Sequence, residues 1–169
     1  MVTPADASRI LKTVKDSPFS GAALRRLAME QLDTLDTYNW SGIYRLEGDS
    51  LLLDEYVGAQ TDHTIIPVGR GVCGTAVAEG KNQVIEDVRE LSNYLACSLQ
   101  TRSELVVLIY RPEVGQQAPI PPLPPDEQGE GQRVIIGQID IDGHQVGAFD
   151  SSDEELLTKL AEILAERWE

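Results

Sequence analysis

Cysteine, histidine and positive charge are all scarce in this chain of 169 residues. It holds two cysteines, Cys73 and Cys97, and two histidines, His63 and His144. That is too few thiols for a disulfide scaffold or a four-cysteine zinc site, and a His/Cys metal site would need nearly every soft ligand present. Lys and Arg number 14 against 28 Asp and Glu, a formal net charge of −14. Such a chain repels phosphate backbones and anionic lipid unless a basic patch overrides the mean. The densest basic pair, Arg25-Arg26, falls inside a helical pattern, so neither nucleic acid nor membrane is an expected partner. Long apolar runs are also missing. The longest is Leu105 to Tyr110, against the ~20 residues of a membrane span. Met1-Val2-Thr3-Pro4-Ala5-Asp6 has neither the basic start nor the apolar stretch of a signal peptide, and a cytoplasmic location is the expectation. Hydrophobic residues make up 41% of the chain, which supports a folded core in spite of the acidity.

What is present divides into helices at the two ends and strands between them. Thr3-Pro4 is a helix start, an oxygen cap followed by Pro at the first helical position. Ile10, Leu11 and Val14 follow at helical spacing, and Leu24, Leu27, Ala28, Leu32 and Leu35 repeat it after a break at Ser17-Pro18. Trp40 to Leu46 and Leu51 to Val57 read as a hairpin turning at Glu47-Gly48-Asp49-Ser50. Thr64 to Val68 and Gln83 to Val88 are shorter strands, with a short helix over Cys73 to Ala78 between them. Ser103 to Arg111 and Arg133 to Asp142 are the most β-prone segments, rich in Val and Ile. Residues 112–132 hold six of the nine prolines and read as an exposed loop insertion. A last helix carries Leu156, Leu157, Leu160, Ile163, Leu164 and Trp168 on one face, with Ser152 and Glu155 at capping-box spacing. The expected class is α+β, an antiparallel sheet with the N- and C-terminal helices packed on one face.

Three groups of residues have chemical potential. Gly69-Arg70-Gly71-Val72-Cys73-Gly74 matches the dinucleotide pattern G-x-G-x-x-G, but the helix after it is too short and no parallel crossover follows, so a cofactor site is rejected. The glycines still permit a tight turn into a helix, where Cys73 is either an activated thiolate or a buried, inert thiol. Cys97 lies in an irregular stretch before Glu104, which opens an apolar strand. Asp140 and Asp142 alternate with Ile139 and Ile141, so both carboxylates share a face. Acids so placed are either solvated or, with Glu104, form a pocket for an ammonium group in which crowding raises one pKa.

The same residues carry a family resemblance. Asn39-Trp40-Ser41-Gly42-Ile43-Tyr44, Ile66 to Ala78 around the glycine motif, Glu86-Asp87-Val88, Ala96-Cys97, Ser103 to Val107 and Ile139-Asp140-Ile141-Asp142 occur in order and spacing over roughly residues 20 to 166. The chain resembles the GAF-domain enzymes that reduce free methionine-R-sulfoxide. The resemblance implies a GAF domain over 20–169 behind a helical extension over 1–19. It implies Cys97 as the nucleophile that takes the sulfoxide oxygen as a sulfenic acid, with Cys73 resolving it as a disulfide. By the same resemblance Glu104, Asp140 and Asp142 hold the substrate amine and Glu104 aids protonation of the departing oxygen, while Trp40 and Tyr44 wall the methyl-sulfur end. No bound cofactor or metal is expected, a thioredoxin-type thiol would be the external reductant, and a homodimer is the expected assembly. The alternative is a catalytically silent GAF module that senses a small ligand in the same pocket.

Several positions depart from the family pattern. His63 stands where a third, resolving cysteine is common, ten residues before Cys73. Tyr94 replaces a usual His and Ser98 a usual Asp beside the nucleophile, and Leu108 stands where Pro is common. His63 has two readings, a cation near Cys97 or a polar residue at a strand edge.

Overall fold

The computed structural model describes residues 1–95, 98–113 and 133–169. Two helices come first, α1 (Pro4–Asp16) and α2 (Gly21–Leu32), followed by strands β1 (Trp40–Glu47), β2 (Ser50–Val57) and β3 (Ile65–Pro67). Helix α3 (Gly71–Glu79) and strand β4 (Gln83–Ile85) lead through a 3₁₀ turn to β5 (Ser103–Tyr110), β6 (Ile135–Gly143) and α4 (Ser151–Glu166). The six strands form one sheet in the order β3-β2-β1-β6-β5-β4, and every pairing is antiparallel. This is the expected α+β class. Among the described residues the antiparallel pairing leaves no parallel crossover of the kind a dinucleotide site needs.

Local chemistry explains most element ends. Thr3 caps α1 by accepting a bond from the Asp6 amide at 3.1 Å, and Pro4 costs nothing at the first helical position. The β1–β2 hairpin turns at Gly48, whose φ of +63° is costly for a side chain with a Cβ. The cap of α4 differs from expectation. Asp150, not Ser152, is the N-cap, and its capping-box partner is Asp153 rather than Glu155. Ser152 is engaged elsewhere, since its hydroxyl accepts from the Val2 amide and donates to Asp150. Asp153 is buried and also accepts from the Tyr38 hydroxyl at 2.8 Å, so the box ties α4 to the chain entering β1.

The two faces of the sheet are packed differently. On one face Ile43, Leu105, Val107, Ile109, Ile139 and Ile141 meet the apolar stripes of α1, α2 and α4. The terminal helices therefore do cover one side together. The opposite face carries Trp40, Tyr44, Leu51, Val106 and Leu108 and is covered by α3 through Val72, Cys73 and Ala76. Alternation of period two along β1, β5 and β6 sends neighbouring residues to these two environments.

Candidate active site

The central strands set the site by register. Asp142 on β6 lies opposite Trp40 on β1 and Glu104 on β5, and two residues on Asp140 lies between Gly42 and Val106. A third row places Gln138 between Tyr44 and Leu108. All three β6 side chains project to the α3 face, and Glu104, Asp140, Asp142 and Gln138 are each 3% exposed or less. The solvated reading of the acids is thus corrected: they form a buried cluster under α3.

Helix α3 supplies the thiol that faces them. Arg70 to Gly74 enter the helix so tightly that a Cβ on Gly74 would lie 2.5 Å from the Pro67 carbonyl, which explains the glycine there. Cys73, the neighbour of Gly74, packs against the sheet. Its Sγ donates to Asp140 Oδ2 at 3.3 Å and lies 3.8 Å from Glu104 Oε1. Cys73 therefore sits against acids as a hydrogen-bond donor, and of its two readings this setting favours the buried thiol over the activated thiolate.

Burial, reinforced by the charges of Asp140 and Asp142, pushes the Glu104 carboxyl well above the usual range. Burial likewise raises Asp140 to about 6, opposed by hydrogen bonds from Glu104 and Cys73. No cationic side chain of the described residues is among the groups acting on either acid. Burial therefore favours the protonated form of Glu104, which suits it to donate a proton beside Asp140.

The aromatic residues line the same face. The Trp40 ring lies over Gly42, where a Cβ would come within 2.1 Å of it, and stacks on Tyr56 at 5.7 Å. Its Nε1 donates to the Ala59 carbonyl at 3.0 Å, and the Tyr44 hydroxyl donates to the His63 carbonyl at 2.9 Å. His63 thus holds Tyr44 through its backbone carbonyl, while its amide donates to Thr61 Oγ1 at 3.1 Å. Tyr94 is half-buried against the same cluster. Cys97 lies outside the described residues, as do residues 114–132 of the proline-rich segment. An open cleft of about 180 Å³, lined by Gly71, Val72, Leu91 and Asn93 among others, borders the N-terminal end of the helix that carries Cys73.

Known proteins share this arrangement of elements. The GAF domain family matches residues 22–168. The free methionine-R-sulfoxide reductase of Escherichia coli is 37% identical over 137 residues, which cover 79% of this chain and 70% of that protein. The chain belongs to the GAF-domain free methionine-R-sulfoxide reductase family. Among solved structures, the family's reductase from Neisseria meningitidis in complex with its substrate superposes with a TM-score of 0.77 at 28% identity, covering 99% of this chain and 92% of that one. The reduced form of fRMsr from Staphylococcus aureus gives 0.79 at 29% identity, covering all of both chains.

One site residue was missed from sequence. Gln138 is fully buried, and neither its Oε1 nor its Nε2 has a hydrogen-bond partner among the described residues. Its signal was available, since Gln138, Asp140 and Asp142 recur at period two in one strand. Among the described residues no helix is long and apolar enough to cross a membrane.

Proposed function

We propose that this protein reduces free L-methionine-R-sulfoxide to methionine. The observation that carries this reading is the buried row of Glu104, Asp140 and Asp142 with the Cys73 thiol against it, in a chain of this reductase family. A buried anionic cluster with no cationic side chain acting on Glu104 or Asp140 suits a small ligand bearing its own ammonium group. Asp140 and Asp142 would hold that ammonium, while Trp40 and Tyr44 provide the apolar surface for the methyl-sulfur end.

The chemistry then needs a thiolate and an acid. Cys97 attacks the sulfoxide sulfur as Glu104 protonates the oxygen. The oxygen passes to Cys97 as a sulfenic acid and methionine leaves. The Cys73 thiol attacks that sulfur, water departs, and a Cys73–Cys97 disulfide results. An external dithiol of the thioredoxin type restores both thiols by exchange. The balance is one sulfoxide and two thiols to one thioether, one disulfide and one water. With His63 at the usual third-cysteine position, Cys73 is the only other thiol in the chain. Homodimer assembly belongs to the same proposal and is checked by light scattering.

The pH profile tests the division of labour. The rate constant kcat/KM rises through about pH 6 as Asp140 ionises to hold the ammonium, and falls at higher pH as Glu104 loses its proton. Asp140→Asn acts mainly on KM and removes the acidic limb, whereas Glu104→Gln acts on kcat. An acidic limb that persists unchanged in Asp140→Asn contradicts the assignment.

A further inference from the structure

The geometry points to a second ligand for this pocket: a thiophilic divalent cation such as Zn²⁺ or Cd²⁺, held by Cys73 Sγ, Glu104 and Asp140 in the reduced protein. The three ligand atoms lie within 4.8 Å of one another, and all three residues are buried. A tetrahedral zinc with Zn–S of about 2.3 Å and Zn–O of about 2.0 Å sets its sulfur and oxygen ligands roughly 3.5 Å apart. The observed sulfur–oxygen separations are 3.3 Å to Asp140 and 3.8 Å to Glu104, on either side of that value. The spacing that serves a thiol hydrogen bond therefore also fits one metal ion, with the thiol proton displaced.

A second observation favours a cation here. Asp140 is fully buried, yet its Oδ1 has no hydrogen-bond partner among the described residues. An oxygen in that state gains more from a ligand than one already satisfied. One sulfur and two carboxylates select against Mg²⁺ and Ca²⁺, which require about six oxygens and keep their waters. Three protein ligands leave the fourth position to water, the pattern of an exchangeable rather than a structural site. Occupancy rests on geometry alone. Its consequence rests on the reductase reading: the metal takes the acids that would hold the substrate ammonium and ties up Cys73, so such metals inhibit reversibly and a chelator restores activity.

The direct test is titration of the reduced protein with Cd²⁺, following the ultraviolet sulfur-to-cadmium charge-transfer band, with thermal melts as a second readout. One Cd²⁺ per chain is expected, with the band retained in Cys97→Ser and lost in Cys73→Ser and Cys73→Ala. Asp140→Asn weakens binding by about tenfold or more, and a large excess of Mg²⁺ does not displace the ion. Cd²⁺ raises Tm in the parent and in Cys97→Ser but not in the Cys73 variants. A band that survives loss of Cys73, disappears with Cys97, or yields to Mg²⁺ overturns the site. If the protein releases no methionine from either sulfoxide epimer yet binds Cd²⁺ through Cys73, the reductase reading fails and the metal site stands.

Discussion

The two faces of the central sheet are built from the same strands and differ in almost every other respect. In β6, Ile139 and Ile141 enter the core under α1, α2 and α4, while Asp140 and Asp142, one residue away, enter the pocket under α3. Both environments are buried. The first removes apolar surface from water at about 25 cal/mol per Å². The second places carboxylates in the same low dielectric, where burial opposes their charge. The helix side holds the molecule together, and the α3 side carries groups that an optimally stable sheet would not contain.

That contrast is broken most severely from the helix side. Leu160 is fully buried in α4, and Leu160→Ala is expected to cost about 2–5 kcal/mol in urea unfolding, with little dependence on pH. The opposite sign is expected across the sheet. Burial pushes the Asp140 carboxyl up from its ordinary 3.8 to about 6, so between these values the folded state binds a proton that the unfolded chain releases. Stability contributed by this group therefore falls as pH rises through that window, and the penalty is complete above about pH 6. Asp140→Asn should raise stability by roughly 1–3 kcal/mol at neutral pH and by little below about pH 4, while raising KM. Loss of stability in Asp140→Asn at neutral pH would show that the charge is compensated. The smallest effect sharpens the comparison. Gln138→Met replaces a buried, unpaired amide with an apolar side chain of similar length and should be neutral or stabilising by up to about 1–2 kcal/mol. Destabilisation on chemical denaturation would mean that the amide is satisfied.

Much of this organisation was legible in the chain. Period-two alternation in Gln138 to Asp142 places the acids on one face, and period-3.6 stripes mark the helices that cover the other. Burial of the acids was not legible, because a strand-end carboxylate looks the same in sequence whether water or a helix lies over it. The position of Cys73 against Asp140 depends on α3 folding back across the sheet, a contact between residues 67 apart. The cap of α4 was misplaced by two residues because Asp150-Ser151-Ser152-Asp153 offers overlapping oxygen donors and acceptors, and long-range bonds to Val2 and Tyr38 select among them. Gln138 was passed over because a neutral amide in a strand gives no sign that its partners are absent.

The central claim is that the α3 face performs thiol chemistry on a small sulfoxide, and a single turnover tests it most directly. Pre-reduced protein is mixed with free L-methionine-R-sulfoxide, with the S epimer as control, and methionine and remaining thiols are counted. The account predicts one methionine per chain from the R epimer alone, with both Cys73 and Cys97 lost to titration and no release from Cys97→Ser. No methionine from either epimer, or undiminished release from Cys97→Ser, would contradict it.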